Sequence, residues 1–265
     1  MGIQHNIYTN PEAFEYFSKL DPRIANREIK APGNWENSTN LESVISLKPD
    51  LVIIASGQSG AIELLESFGI PVFVVSPKTN EELFNELLGI GILTGTENRA
   101  KELIEYTRTK LHEIRKKTSQ INGTKKVYYA WSGGRIYTTS GRNSRMQECF
   151  DLAGVENACP FEIDTPNINP ENLLAWDPDI ILLWNSTPES LYKTEELRMM
   201  RAVKEQRVHV FEPAFFYNPQ TLKIMYMALE LYEVAYGDRN TEELINYRME
   251  IMKGLYGDKA EQLFQ

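Results

Sequence analysis

The side chains that could do chemistry in this chain gather in a few loops. Arg135, Arg142 and Arg145 lie close together, with Tyr137 among them. Guanidinium groups hold carboxylates, catecholates or oxyanions through paired hydrogen bonds. Arg142-Asn143-Ser144-Arg145 also precedes an amphipathic stretch, so two cations would stand at a helix start. Solvated surface charge is the plain alternative for each of them. Ser56, Gln58 and Ser59 follow an apolar run and precede another amphipathic stretch. Backbone N–H groups at such a helix start could hold an anion, or the segment is an ordinary turn. Trp131 and the Trp184-Asn185 pair end apolar runs, and Phe215, Phe216 and Tyr217 follow a third. These aromatics are either core or the walls of a cleft for a large planar or chelated ligand. Of the three scattered histidines, His5 and His112 have no partners at metal-ligand spacing and His209 reads as the edge of a core strand, so a bare-metal site is not expected.

The elements that position these loops are written twice. Thr39–Ile54 reads TNLESVISLKPDLVII and Ile168–Leu183 reads INPENLLAWDPDIILL, aligned without a gap. Asn40/Asn169, Glu42/Glu171, Pro49/Pro178 and Asp50/Asp179 are identical pairs. Each copy predicts a short helix with a carboxylate in its first turn, where it suits the helix dipole. A buried strand and a loop follow. The predicted strands are Leu51–Ala55 and Ile180–Trp184, and after each loop come a helix and a further strand, Pro71–Val75 and Val208–Phe211. A copy this distant predicts two similar lobes, and open α/β sheets bind ligands at the carboxyl ends of their strands. Trp35, in the Gly33–Asn37 loop, would face the same cleft from the other lobe.

Between the copies, Asn80–Leu93 and Glu97–Lys117 read as helices, the second long enough to bridge two lobes. Lys126–Trp131 and Arg135–Thr139 read as strands joined through Gly133-Gly134. Ser144–Ala153, Glu195–Lys204, Pro219–Tyr236 and Thr241–Tyr256 read as helices. The expected organisation is an N-terminal lobe over residues 1–95, a connecting helix over 96–120 and a C-terminal lobe over 121–265.

Composition narrows the function. The net charge of −9 disfavours nucleic acid, whose phosphates need a positive field. No apolar run approaches the roughly 20 residues that span a bilayer. The start, MGIQHNIYTNPEAF, has neither a basic n-region nor an apolar h-region, so it is not a signal peptide. Cys149 and Cys159 are compatible with a disulfide or with buried thiols. Dinucleotide, P-loop and nucleophile-elbow motifs are missing from the sequence, which argues against an enzyme.

Asn-x-Glu before a short helix, then Lys48-Pro49-Asp50-Leu51-Val52-Ile53, resembles the substrate-binding proteins of ABC importers for chelated metals. Val127–Pro160 resembles the opening of that family's C-terminal lobe, most specifically in FDLAGVENA at Phe150–Ala158. The resemblance covers nearly the whole chain. It implies an α/β fold of two similar three-layer lobes, a stiff helical link and a ligand cleft between the lobes. It implies capture of a metal chelate, first a ferric siderophore, with cobalamin, haem or molybdate as alternatives, and no cofactor. It also implies that Glu42 and Glu171 dock on arginines of a membrane permease, and that the protein works in the periplasm or anchored outside the membrane. Family members begin with a signal peptide, a strand and a helix ahead of the point that Gly2-Ile3 resembles. The expectation is therefore an abbreviated N-terminal lobe with an apolar edge at Leu51–Ala55 or Val72–Val75. Such an edge invites poor stability or a homodimer.

Overall fold

The computed structural model describes residues 1–33, 39–131, 135–184, 186–237 and 242–265. The first half runs β1 (Gly2–Gln4), α1 (Asn6–Thr9), α2 (Pro11–Leu20), α3 (Pro22–Ala25), β2 (Lys30–Gly33), α4 (Leu41–Ser46), β3 (Val52–Ala55), α5 (Ser59–Ser67), β4 (Val72–Val75) and α6 (Asn80–Leu93). The long helix α7 (Glu97–Thr118) leads to β5 (Lys126–Ala130), α8 (Arg145–Ala153), β6 (Glu156–Asn157), α9 (Pro170–Trp176), β7 (Ile180–Trp184) and α10 (Glu189–Lys193). A 3-10 turn at Leu197–Met199, α11 (Arg201–Lys204), β8 (Val208–Phe211), α12 (Ile224–Tyr236) and α13 (Glu242–Tyr256) follow, and the chain closes with a 3-10 segment, Gly257–Phe264.

The repeated phrase folds the same way twice, for local reasons. Asn40 caps α4 by accepting the Ser43 N–H at 3.0 Å, and Asn169 caps α9 by accepting the Asn172 N–H at 2.8 Å. A side-chain oxygen here satisfies a backbone donor that the helix leaves unpaired. Both helices then end at equivalent left-handed residues, Lys48 (φ 47°) and Asp177 (φ 39°), each followed by proline. That pairing stops a helix and turns the chain into the next strand. β3 and β7 follow, each in parallel register with a neighbour: Ile54 opposite Val74, and Leu183 opposite both Ala130 and Val210.

The two halves differ in how well they bury these strands. In the second half the order β6-β5-β7-β8 makes one parallel sheet. Ile180 to Leu183 are fully buried, as befits a central strand covered on both faces. Val127, Tyr129, Ile180 and Leu182 face the core built with α7, α8, α12 and α13. Tyr128, Ile181 and Leu183 face a second cluster with Leu173, Ala202 and Val203. Among the described residues of the first half there are two separate two-stranded sheets, β1-β2 and β3-β4. Their buried cluster is small, centred on Val44, Ile54 and Leu65, and Ile53 and Val74 are 45% and 42% exposed. Amides of β3 and β4 are therefore expected to exchange by local opening, those of β5 and β7 near the global limit. Native-state hydrogen exchange should show protection at least ~100-fold lower in β3-β4, a gap of about 2.7 kcal/mol in opening free energy. Equal protection in the two sheets would contradict this account.

Helix α7 ties the halves together. Ala100, Ile104, Thr107, Leu111 and Ile114 bury one stripe at helical spacing. At 22 residues it reaches about 33 Å. It packs on α6 at one end and on α8, α12 and α13 along its length. The α6–α7 corner needs a glycine: a Cβ on Gly91 would lie 2.7 Å from that of Ala100.

Several expected elements differ. Arg135–Thr139 is not a strand but a turn with a single bridge, Thr138 to Asn167. Two hydroxyls hold this segment against β5: Thr139 Oγ1 donates to the Tyr129 carbonyl and Tyr128 Oη to the Ile136 carbonyl, each at 2.6 Å. The helix expected over Glu195–Lys204 is broken at Met200, which is extended (φ −61°, ψ 144°) and buried. The helix expected from Pro219 begins later, at Ile224, and Thr241, where the last one was expected to start, lies outside the described residues. Cys149 and Cys159 are both buried and free. Burial pushes both thiols above their ordinary range.

Candidate functional site

Two of the nominated aromatics meet where the sheet topology requires. β5 and β7 are adjacent and parallel, so Trp131 and Trp184 stand side by side at their carboxyl ends. Their rings are 6.2 Å apart at 87°, an edge-to-face contact, and both are half-buried. Trp131 donates its Nε1–H to the Thr139 carbonyl at 3.1 Å. The Trp184 Nε1 is shielded from solvent and has no hydrogen-bond partner among the described residues. An unsatisfied donor of this kind costs free energy until a partner arrives. Trp35 and Asn185 lie outside the described residues.

On the first half, the loop after β3 carries Ser56, Gln58 and Ser59. Ser56 and Ser59 are exposed. Gln58 is half-buried, and its Oε1 accepts from the Thr39 hydroxyl at 2.7 Å. That bond fastens the β3-α5 loop to the segment leading into α4.

The cationic stretch is dispersed. Arg135 is exposed. Arg142 is also exposed and lies 3.8 Å from the Glu162 carboxylate. Arg145 was expected to meet ligand, and the structure corrects that: it is 2% exposed. It donates to Glu148, to the Pro219 carbonyl at 3.3 Å and to Asn80 Oδ1 at 2.9 Å. Asn80 opens α6 in the other half, so this guanidinium fastens the halves to each other. Tyr137 is half-buried; burial, then the carboxylates of Glu196 and Glu171, hold its phenol above the usual value. It therefore lies within electrostatic reach of one nominated docking residue.

Phe215 and Tyr217 need the same correction. Both are 6% exposed and belong to the main core. Tyr217 packs on Phe211 and Tyr226. Phe215 stacks on Tyr16 of α2 at 5.1 Å and 13°, and meets Phe17 edge-on at 5.2 Å. Its N–H donates to Glu12 Oε1 at 2.8 Å. Glu12, Tyr16, Asn80 and Lys223 were not singled out from sequence. Their partners are far away along the chain, and no local pattern marks them.

Glu42 and Glu171 are both exposed in the first turns of α4 and α9. Among the described residues, no cluster of three His, Cys, Asp or Glu side chains could hold a metal ion.

The chain belongs to the periplasmic binding protein family, whose profile matches residues 9–214. An ABC transporter substrate-binding lipoprotein of Bacillus subtilis, YvrC, is 27% identical over 184 residues, 66% of this chain and 59% of that protein. A vitamin B12-binding protein of Photorhabdus laumondii is 24% identical over 160 residues, 59% of this chain and 57% of that protein. These matches span less than two thirds of either relative's length. The fold is shared with CeuE of Helicobacter pylori, solved as a Ni-His complex: TM-score 0.81 at 20% identity, covering 100% of this chain and 86% of that one.

Proposed function

We propose that this protein is the solute-binding component of an ABC importer. It captures a metal chelate, first a ferric siderophore, between its two lobes and delivers it to a membrane permease. It does so in the periplasm or anchored at the outer face of the membrane. The observation that carries the reading is the doubled Asn-x-Glu helix start, which presents Glu42 and Glu171 at equivalent exposed positions. Two matched anionic points suit a partner with two equivalent cationic loops. The Trp131–Trp184 pair supports a large ligand with planar or aryl groups, and the indole N–H of Trp184, which has no partner among the described residues, offers it a donor. The exposed Arg135, Arg142, Ser56 and Ser59 are offered as its polar contacts. The missing metal-ligand cluster among the described residues favours a metal that arrives with its own chelator.

A thermal-shift panel tests the ligand. Ferric siderophores, cobalamin, haem, molybdate and tungstate are compared at matched concentrations. A ligand present at 100 times its Kd stabilises by about 2.7 kcal/mol through mass action. Stabilisation by molybdate alone would replace the chelate reading, and silence across the panel would overturn it. Within a positive panel, Trp184→Phe removes only the indole N–H and some ring area. It is expected to weaken ligand about 3- to 10-fold, the worth of one hydrogen bond, and to leave the free protein as stable or slightly more so. Unchanged affinity in W184F would detach Trp184 from the site.

A further inference from the structure

Helix α2 is joined to the opposite half at Phe215, beside a buried cation. Phe215, in the loop after β8, is gripped on every side. Glu12 of α2 accepts its N–H, and Tyr16 and Phe17 of α2 cover its ring. Lys223, just before α12, donates to its carbonyl and places its ammonium 3.8 Å from the centre of the same ring. Lys259, in the closing 3-10 segment, donates to the Leu20 carbonyl at the far end of α2, at 2.6 Å. Lys223 is 7% exposed. Its ammonium forms no ion pair among the described residues, although Glu12 acts on it from α2. The aromatic cover on that ammonium is the Phe215 ring, which Tyr16 and Phe17 of α2 pack. Lifting α2 would hydrate it.

We propose that α2 is a proton-operated clasp: it holds the C-terminal half while Lys223 is neutral and loosens when Lys223 takes up a proton. The chemistry follows from burial. A buried ammonium loses its hydration, and one carbonyl, one ring face and the Glu12 carboxylate do not replace it. Burial draws the Lys223 ammonium from the ordinary 10.5 down to about 7, with Glu12 opposing in part. With α2 lifted, Lys223 regains water and its ordinary affinity for a proton. Between about 7 and 10.5 the released state then binds more protons than the clasped one, so clasping strengthens as pH rises through that window. Below about 7 both states are protonated and the full desolvation cost falls on the clasped state. The other groups facing the junction are Glu12, Glu15, Tyr16 and Lys19 on α2, Tyr256 at the end of α13, and Lys259. Burial raises the Tyr16 phenol and pushes that of Tyr256 up to about 12, so neither loses its proton near neutrality. Lys19 pairs with Glu15 at 3.0 Å along α2.

Spin labels at Glu15→Cys and Gln262→Cys report the clasp, since both positions are exposed and both native thiols are buried. The pulsed dipolar spectrum should show one short distance at pH 9 and a second, longer population at pH 6. Lys223→Met keeps the length of the side chain and removes the charge, so it should show the short distance alone at both pH values. A pH-independent distribution in the parent would overturn the proposal, as would an unchanged pH response in K223M. A K223M chain that does not fold would also overturn it, by showing that the ammonium is required rather than tolerated.

Discussion

Arg145→Met is expected to unfold roughly 10 °C below the parent. The guanidinium is buried and supplies donors in three directions: to Glu148 on its own helix, to the Pro219 carbonyl, and to Asn80 across the junction between the halves. Removing it leaves acceptors unpaired in a region where water cannot reach easily. Breaking a buried charged network of this kind typically costs about 3–5 kcal/mol. For a chain of this size each kcal/mol moves Tm by about 2–4 °C. Arg145→Lys should recover little, because an ammonium cannot reproduce the planar fork that reaches all three acceptors. Differential scanning calorimetry measures both variants. The competing account, in which Arg145 touches ligand, predicts the reverse: Arg145→Lys would keep Tm and lose binding. Asn80 sharpens the choice. Its Nδ2 is buried without a partner among the described residues, so the amide is held for its oxygen, which serves Arg145.

Arg145 also illustrates where sequence reading stops. Its neighbours Ser144 and Gly154 mark the ends of α8 by local rules: a serine cap, and a glycine at φ 69°. Such rules act over a few residues and are readable in a single sequence. The repeat was legible for the same reason, down to its Asn caps and its Pro-Asp exits. Whether Arg145 points to solvent or to Asn80 depends on a contact between residues far apart in the chain. Phe215 shows the same limit. An aromatic cluster after a strand suits a cleft wall and a helix-docking site equally well, and only the position of α2 decides between them. The break at Met200 has a related cause. Glu195–Lys204 has helical composition, but Leu197, Met200, Ala202 and Val203 are all drawn into one core face, which a continuous helix of that length does not present. In contrast, the position of Trp131 and Trp184 at strand ends is legible, because strand ends follow from the apolar runs, and adjacent parallel strands bring their ends together.

Reversing both exposed carboxylates, Glu42→Lys with Glu171→Lys, is expected to stop transport while ligand binding survives. Each carboxylate sits in the first turn of a short helix whose amides are already capped by Asn40 or Asn169. Folding therefore loses only the favourable dipole contact, about 0.3–1 kcal/mol per site, with some repulsion added by the new cation. Docking loses much more. A charge-assisted hydrogen bond to a partner arginine contributes about 1.5–3 kcal/mol, so losing two such bonds reduces productive docking ~100-fold or more. Each single reversal should give an intermediate defect, because one lobe remains anchored. Uptake by reconstituted permease, beside ligand titration of the isolated variant, separates the two effects. The parent's docking should also weaken as salt rises, since exposed charges are screened beyond about 8 Å at physiological ionic strength. Loss of ligand affinity in the double variant, with uptake falling only in proportion, would assign the carboxylates to the binding site instead. Tyr137 provides an internal check: with Glu171 reversed, one of the two carboxylates that raise its phenol is gone, so its titration should move down.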